Sequence, residues 1–283
     1  MDSTELKKAL TQVFDTVAPD FDQSDIAYHV PIGQQLVRVA DIQSGERVLD
    51  VGTGRGAVLF AALDVVGPTG TVTGIDLSNG MVEHVRADAL RLGHRNVAVH
   101  TMDGEEPDFP PGSFDAVLGS YSINMFPNAP VALRRYPELL APGGRLAFTT
   151  PVFHEDGLPT AFPPTAAAAF HRLFEKWRAE GLPKQFLNQA ESWYGTPERI
   201  TETLRAAGFD SVRVEHHTVT VTVGSGADWV RWTYTEGLRM FWERIDAAER
   251  PALEAEIAAG MDAARDADGT ISYPHPVCYV LAS

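Results

Sequence analysis

Cysteine is nearly absent: Cys278 stands alone among 283 residues. A lone thiol forms no intrachain disulfide and excludes a four-cysteine zinc site. Long apolar runs are missing too. None approaches the roughly 18 unbroken apolar residues of a membrane span. The opening segment MDSTELKKALTQVFDTV has no apolar core of signal-peptide length. These absences predict a soluble, cytoplasmic chain with no membrane partner. Positive charge is also scarce, with 23 Lys and Arg against 38 Asp and Glu, a net charge of -15. Such a surface repels a phosphate backbone and no basic run compensates, so nucleic acid is not expected as a partner. A negative field suits a cationic ligand, although charge alone does not choose one.

What the chain does have is regular alternation. From residue 46, short apolar runs alternate with helical patterns about every 20–25 residues. RVLDV, TVTGIDL, NVAVHTMD, FDAVLGSYS and RLAFTTPV read as strands. AVLFAALDVVG, NGMVEHVRADALRLG and APVALRRYPELLAPGG read as helices, the last with a Pro-Gly-Gly stop. This order predicts an α/β, doubly wound parallel sheet with helices on both faces. The expected divisions are a helical segment over 1–45, a core over 46–150 and a helical insertion over 151–195. A core helix and strand over 196–223, a second helical insertion over 224–270 and a terminal strand over 271–283 follow. Thr196 is the expected N-cap of the helix in TPERITETLRAAGF, with Pro197 at its first position.

The segment VLDVGTGRGAV, residues 48–58, carries Gly52, Gly54 and Gly56 between a strand and a helix. Glycine permits positive φ and lets a ligand approach the main chain. The dinucleotide pattern G-x-G-x-x-G/A is also met, with Ala57 last, so the turn alone does not separate a dinucleotide from another nucleoside. Three acids favour the second. Asp50 would repel a pyrophosphate but could receive an ammonium group. Asp76, at the end of the second strand, can accept both ribose hydroxyls of either ligand. Asp103, past the third strand, can accept an adenine amino group.

With these residues the chain resembles the class I S-adenosylmethionine-dependent methyltransferases, in their small-molecule branch of ubiquinone-type and secondary-metabolite enzymes. VLDVGTGRGAV, GIDLS, MDGEEPDFPPGSFDAVLGSYSINMFP and LLAPGGRLAFTT look like the four successive motifs of that family. The resemblance implies a Rossmann-like seven-stranded sheet with its last strand antiparallel and residues 1–45 as a lid; it does not extend to the two helical cap insertions, which are read from their own residues. It implies S-adenosyl-L-methionine as cofactor and S-adenosyl-L-homocysteine as product. The glycine turn would meet the amino-acid part, Asp76 the ribose, and Asp103 with Gly104 the adenine. Thr53, Leu77, Met81 and Ser120 complete the implied cofactor set. Family members acting on DNA bases or glutamine carry a Pro-Pro-aromatic turn after the fourth strand; GSYSINMFP at 119–127 lacks it. Residues 119–126 hold no carboxylate either, so a metal-dependent reaction of the catechol type is not expected.

Methyl transfer from a sulfonium is an in-line displacement, and the protein mainly holds the nucleophile about 3–3.5 Å from the methyl carbon. A hydroxyl nucleophile also benefits from a base. The candidate catalytic residues are His154, His29 and Tyr121; the candidate acceptor-binding residues are Tyr28, Asn124 and Trp193. Each also has a plain reading as a packing or loop residue. His154, Glu155 and Asp156 are adjacent, so all three seldom point to one metal. His216 and His217 are neighbours on a strand and face opposite sides. Aromatic residues of the insertions, from Phe162 to Trp242, read as packed interior or as the lining for an aromatic or natural-product acceptor, and part of that surface could serve a homodimer. Two alternatives remain open: a methyltransferase-fold protein that catalyses a cyclisation or only binds, and a nicotinamide-dependent oxidoreductase.

Overall fold

A computed structural model of the chain describes residues 2–153, 163–179 and 192–283. Seven strands form one sheet: β1 (Arg47–Val51), β2 (Thr71–Asp76), β3 (Val97–Thr101), β4 (Phe114–Ser120), β5 (Leu140–Pro151), β6 (Val212–Val223) and β7 (Ile271–Ala282). Their spatial order is β3-β2-β1-β4-β5-β7-β6. The first five strands run parallel, and β7 is antiparallel to both β5 and β6. The expected doubly wound sheet with an antiparallel final strand is therefore present. Strand order reverses between β1 and β4, where such sheets bind ligands.

Helices cover both faces. They are α1 (Ser3–Val17), α2 (His29–Val39), α3 (Ala57–Val66), α4 (Asn79–Leu92), α5 (Ala129–Ala132), α6 (Tyr136–Leu139), α7 (Ala167–Ala179), α8 (Pro197–Ala206), α9 (Gly226–Thr233), α10 (Arg239–Trp242) and α11 (Arg250–Asp262). Val48, Leu49, Asp50 and Val51 are all buried, as expected of a central parallel strand covered on both sides. Ile32, Leu36 and Leu59 pack on one face; Leu133, Tyr136 and Leu204 pack on the other. A third core joins α1 to the two insertions and to the ends of β6 and β7, through Leu10, Phe170, Trp229, Ile257 and Tyr273. No helix among the described residues is long and apolar enough to cross a membrane.

Local signals explain the helix starts. Asp2 and Glu5 form a reciprocal capping box on α1. Ser78 caps α4, and Thr196 caps α8 with Pro197 inside its first turn, as the sequence predicts. The single helix expected over APVALRRYPELLAPGG is not formed. The segment breaks into α5, a 3-10 turn at Leu133–Arg135 and α6, and Leu140 already opens β5. Pro137 has no N–H to offer the carbonyl of Leu133, and its ring would crowd that carbonyl, so one continuous helix is blocked.

Candidate active site

A cavity of about 350 Å³ opens at the carboxyl ends of β1, β2 and β4, between them, α1, α2 and the second insertion. The volume lies within the roughly 300–1,000 Å³ of small-ligand pockets. Its floor is the glycine turn. Gly52 sits at φ 67, and a Cβ there would lie 2.4 Å from the Ser122 Cβ, so no side chain fits between the turn and the end of β4. Gly54 donates its N–H to Asp76 Oδ2 at 2.9 Å, and Ser78 donates to Asp76 Oδ1 at 2.9 Å. Burial raises the Asp76 pKa, and these amides oppose the rise. Each anchored oxygen has a second lone pair, and Asp76 lines the cavity. At the far end of the same floor, Gly104 leaves a cradle that a Cβ would fill, 2.6 Å from Phe126 Cζ. These features fit an adenosine-type cofactor, with a ribose acceptor at Asp76 and room for the adenine beside Gly104.

Asp103 brings a partner that the sequence did not announce. Lys7 Nζ, from α1, lies 2.5 Å from both Asp103 Oδ2 and Glu105 Oε2. Burial works against its charge, but the two carboxylates outweigh burial and hold the ammonium above its usual pKa. Helical spacing marks Leu6, Leu10, Val13 and Val17 as the buried stripe of α1, and Lys7 lies at the edge of that stripe. Spacing alone does not say that this edge faces three strand ends.

At the opposite end, residues distant in sequence converge. Tyr28 Oη lies 3.0 Å and Tyr121 Oη 2.9 Å from Nε2 of His275, which is 2% exposed on β7. The Tyr28 and Tyr121 rings stack at 6.1 Å. Burial pushes both phenols above their ordinary pKa, so they stay protonated. Tyr121 itself takes φ 50, a left-handed conformation that a bulky residue adopts only at a cost, and Thr149 Oγ1 receives its N–H at 3.0 Å. Next to this group, His29 Nε2 meets Glu236 Oε2 at 2.8 Å, and the imidazole stacks on Phe21. Burial lowers the His29 pKa, but the Glu236 carboxylate, its hydrogen bond and Asp22 together carry it above the ordinary value. His275 and Glu236 escaped the sequence reading because nothing in local spacing ties residues 236 and 275 to residues 28 and 121.

Of the candidate residues, Gly52, Thr53, Gly54, Asp76, Leu77, Asp103, Gly104, Ser120, Tyr28, His29, Tyr121 and Asn124 line the cavity. Four do not. Asp50 is 1% exposed behind the turn, so the carboxylate expected to face the ligand instead accepts the Thr53 hydroxyl at 2.7 Å. Met81 packs beneath α1 against Val17 and Ala18. Gly56 is the N-cap of α3, where a Cβ would strike Phe60. Trp193 packs on Phe148 and Tyr194. His154 lies outside the described residues. Neither His216 nor His217 lines the cavity, and His217 packs edge-on against Tyr279. No group of three or more His, Cys, Asp or Glu suited to a metal occurs among the described residues.

Asp50 has a consequence for stability. Burial pushes its carboxyl up to about 7, with the Thr53 hydroxyl pulling the other way. The unfolded chain ionises this group near 3.8, so folding is disfavoured progressively as pH rises from about 4 through 7. Asp50→Asn keeps an oxygen for Thr53 and removes the ionisation. The melting temperature of cofactor-free D50N is expected to gain on that of the native protein as pH rises from 4 to 8. A constant difference across that range in scanning calorimetry would refute the assignment.

A family model described as a methyltransferase domain matches residues 27–214. The chain is 42% identical over 217 residues to the aklanonic acid methyltransferase of Streptomyces sp. (strain C5), covering 75% of this chain and 97% of that protein. It is 36% identical over 280 residues to the nocamycin O-methyltransferase of Saccharothrix syringae, covering 95% and 96%. Among solved structures, the phosphoethanolamine N-methyltransferase 2 of Haemonchus contortus, in complex with phosphomonomethylethanolamine and S-adenosylhomocysteine, shares the fold with a TM-score of 0.53 at 20% identity, covering 90% of this chain and 51% of that one.

Proposed function

We propose, from the premise that this chain belongs to the methyltransferase-domain family and is an S-adenosylmethionine-dependent methyltransferase of a small-molecule acceptor, that the methyl group goes to an oxygen of a ring-bearing secondary-metabolite acid. One observation carries this reading: two phenols kept protonated, Tyr28 and Tyr121, converge on His275 Nε2 at the cavity wall. With the Nε2–H tautomer of His275, both phenol oxygens accept from the ring and keep their own protons to donate, which suits an oxygen of the acceptor. The names of the two relatives agree with it, one being called for an acid and the other for O-methyl transfer.

The residues divide the work by position. Asp76 takes the ribose hydroxyls, and Asp103 with Gly104 takes the adenine edge. The bound cofactor supplies a methyl group on a sulfonium, a leaving group that needs no acid. Tyr28 and Tyr121 hold the acceptor oxygen, and His275 fixes both phenols. An acid arrives ionised and needs no base. His29, held by Glu236 at 2.8 Å, lines the cavity beside the two phenols. Positioning of this kind provides much of the barrier reduction in an in-line transfer.

The test follows the methyl group. Polycyclic polyketide acids and their amides are incubated with methyl-labelled S-adenosylmethionine, and the product linkage is determined. The expected products are methyl esters of the acids. Label on nitrogen or carbon would overturn the reading, as would cofactor that is bound and never consumed. Tyr121→Phe is expected to lower kcat/KM at least tenfold while S-adenosylhomocysteine affinity stays within twofold.

A further inference from the structure

Five acids line the cavity: Asp22, Asp76, Asp103, Glu105 and Glu236. Four are already engaged. Asp76 holds the amides of Gly54 and Ser78, Asp103 and Glu105 hold Lys7, and Glu236 holds His29. Asp22 is the exception. The two cations that act on its charge, His29 and Arg55, are each paired with another acid, His29 with Glu236 and Arg55 with Asp88, both at 2.8 Å. Burial raises the Asp22 pKa, and the charges of His29 and Arg55 offset only part of the rise.

The place of Asp22 is fixed by its neighbours. Arg55, inside the glycine turn, donates to the carbonyls of Ala18 and Pro19 at 2.8 and 3.2 Å, which ties the chain leaving α1 to that turn. Phe21 then crosses Gly54, whose Cβ position lies 3.6 Å from Phe21 Cε1. Asp22 is the next residue and takes φ 53. It stands beside the glycine turn, while Gly104 marks the far end of the same floor.

We propose that Asp22 receives the α-ammonium of the cofactor's amino-acid part. With the ribose at Asp76 and the adenine beside Gly104, the amino-acid part extends the other way, to the glycine turn. An ammonium withdrawn from water there needs a carboxylate. Asp50, turned behind the turn and bonded to Thr53, does not supply one. The N-terminal segment supplies it instead. A charge-assisted hydrogen bond from the ammonium also completes the compensation that His29 and Arg55 leave unfinished. The inference rests on the cofactor and is independent of which acceptor atom is methylated.

The test is binding, not turnover. The protein is titrated calorimetrically with S-adenosylhomocysteine, with its deamino analogue, in which hydrogen replaces the α-ammonium, and with methylthioadenosine, which lacks the whole amino-acid part. The native protein is expected to bind S-adenosylhomocysteine at least tenfold more tightly than the deamino analogue, because a site built for a polar group rejects the analogue lacking it. In Asp22→Asn the preference is expected to fall to within threefold, with methylthioadenosine affinity within twofold of native as evidence of an intact floor. Asparagine tolerates the positive φ, so the backbone is not strained by the change. Equal binding of the two amino-acid ligands by the native protein overturns the inference. A tenfold preference kept in Asp22→Asn also overturns it; should that variant lose methylthioadenosine, a preference kept in Asp22→Gly does so. Failure of the native protein to bind S-adenosylhomocysteine at all would remove the cofactor, and this contact with it.

Discussion

Gly226→Ala is expected to cost about 3 kcal/mol of stability or more, and to loosen the wall that faces the acceptor. Gly226 opens α9 and donates its N–H to Asp262 Oδ1 at 2.9 Å. A Cβ at this position would lie 2.0 Å from the Ala258 carbonyl oxygen and 2.7 Å from its Cα. Those atoms are backbone in the middle of α11, so neither helix can yield by turning a side chain. They can only separate, and α9 carries Trp229 and Trp232 into the cavity wall. For a chain of this size, the melting temperature falls by roughly 2–4 °C per kcal/mol. Gly93→Ala is the control. Gly93 has φ 80 with nothing within 4 Å of its Cβ position, so it loses only the left-handed preference, about 1–2 kcal/mol. A Gly226→Ala protein as stable as Gly93→Ala would mean that the α9–α11 contact is softer than the geometry describes.

Asp76→Ala is expected to weaken S-adenosylhomocysteine binding tenfold or more, about 1.4 kcal/mol or above. Two effects combine. The ribose hydroxyls lose their acceptor, and the N–H groups of Gly54 and Ser78 lose the carboxylate that holds them. The second effect releases the glycine turn, so Asp76→Asn should lie between alanine and the native residue: its single carbonyl oxygen can hold one of the two amides. Calorimetric titration of the three proteins gives the order. Equal affinity of Asp76→Ala and native protein would remove Asp76 from the ribose site.

The parts legible in the sequence were those whose cause is local. Gly52, Gly54 and Asp76 belong to one strand-turn-helix unit and its neighbouring strand, so spacing alone places them together. The strands of the core follow from apolar runs bounded by turn residues, and α8 from Thr196 and Pro197. The same logic failed for residues 129–144, where the helical pattern was right in period but Pro137 divides it. It failed for Asp50 because a strand buried on both faces gives no alternation to say which way its acid points. The acceptor end was hardest to foresee. Tyr28, Tyr121, Glu236 and His275 meet only through the tertiary fold, and His275 sits in a segment, YPHPV, that reads simply as a strand.

The position of β7 between β5 and β6 bears on how the chain assembles. β6 touches the rest of the sheet only through β7, although it precedes β7 by nearly fifty residues of insertion. During synthesis β1 to β5 can pair as they emerge, each with a neighbour already made. β6 has no such neighbour and must wait with its edge unpaired until residues near 282 leave the ribosome. The same strand delivers His275 to the two tyrosines, so the acceptor pocket is among the last features to form. A nascent chain halted before residue 270 would hold a cofactor floor with no acceptor chamber above it, and an open strand edge for chaperones to guard.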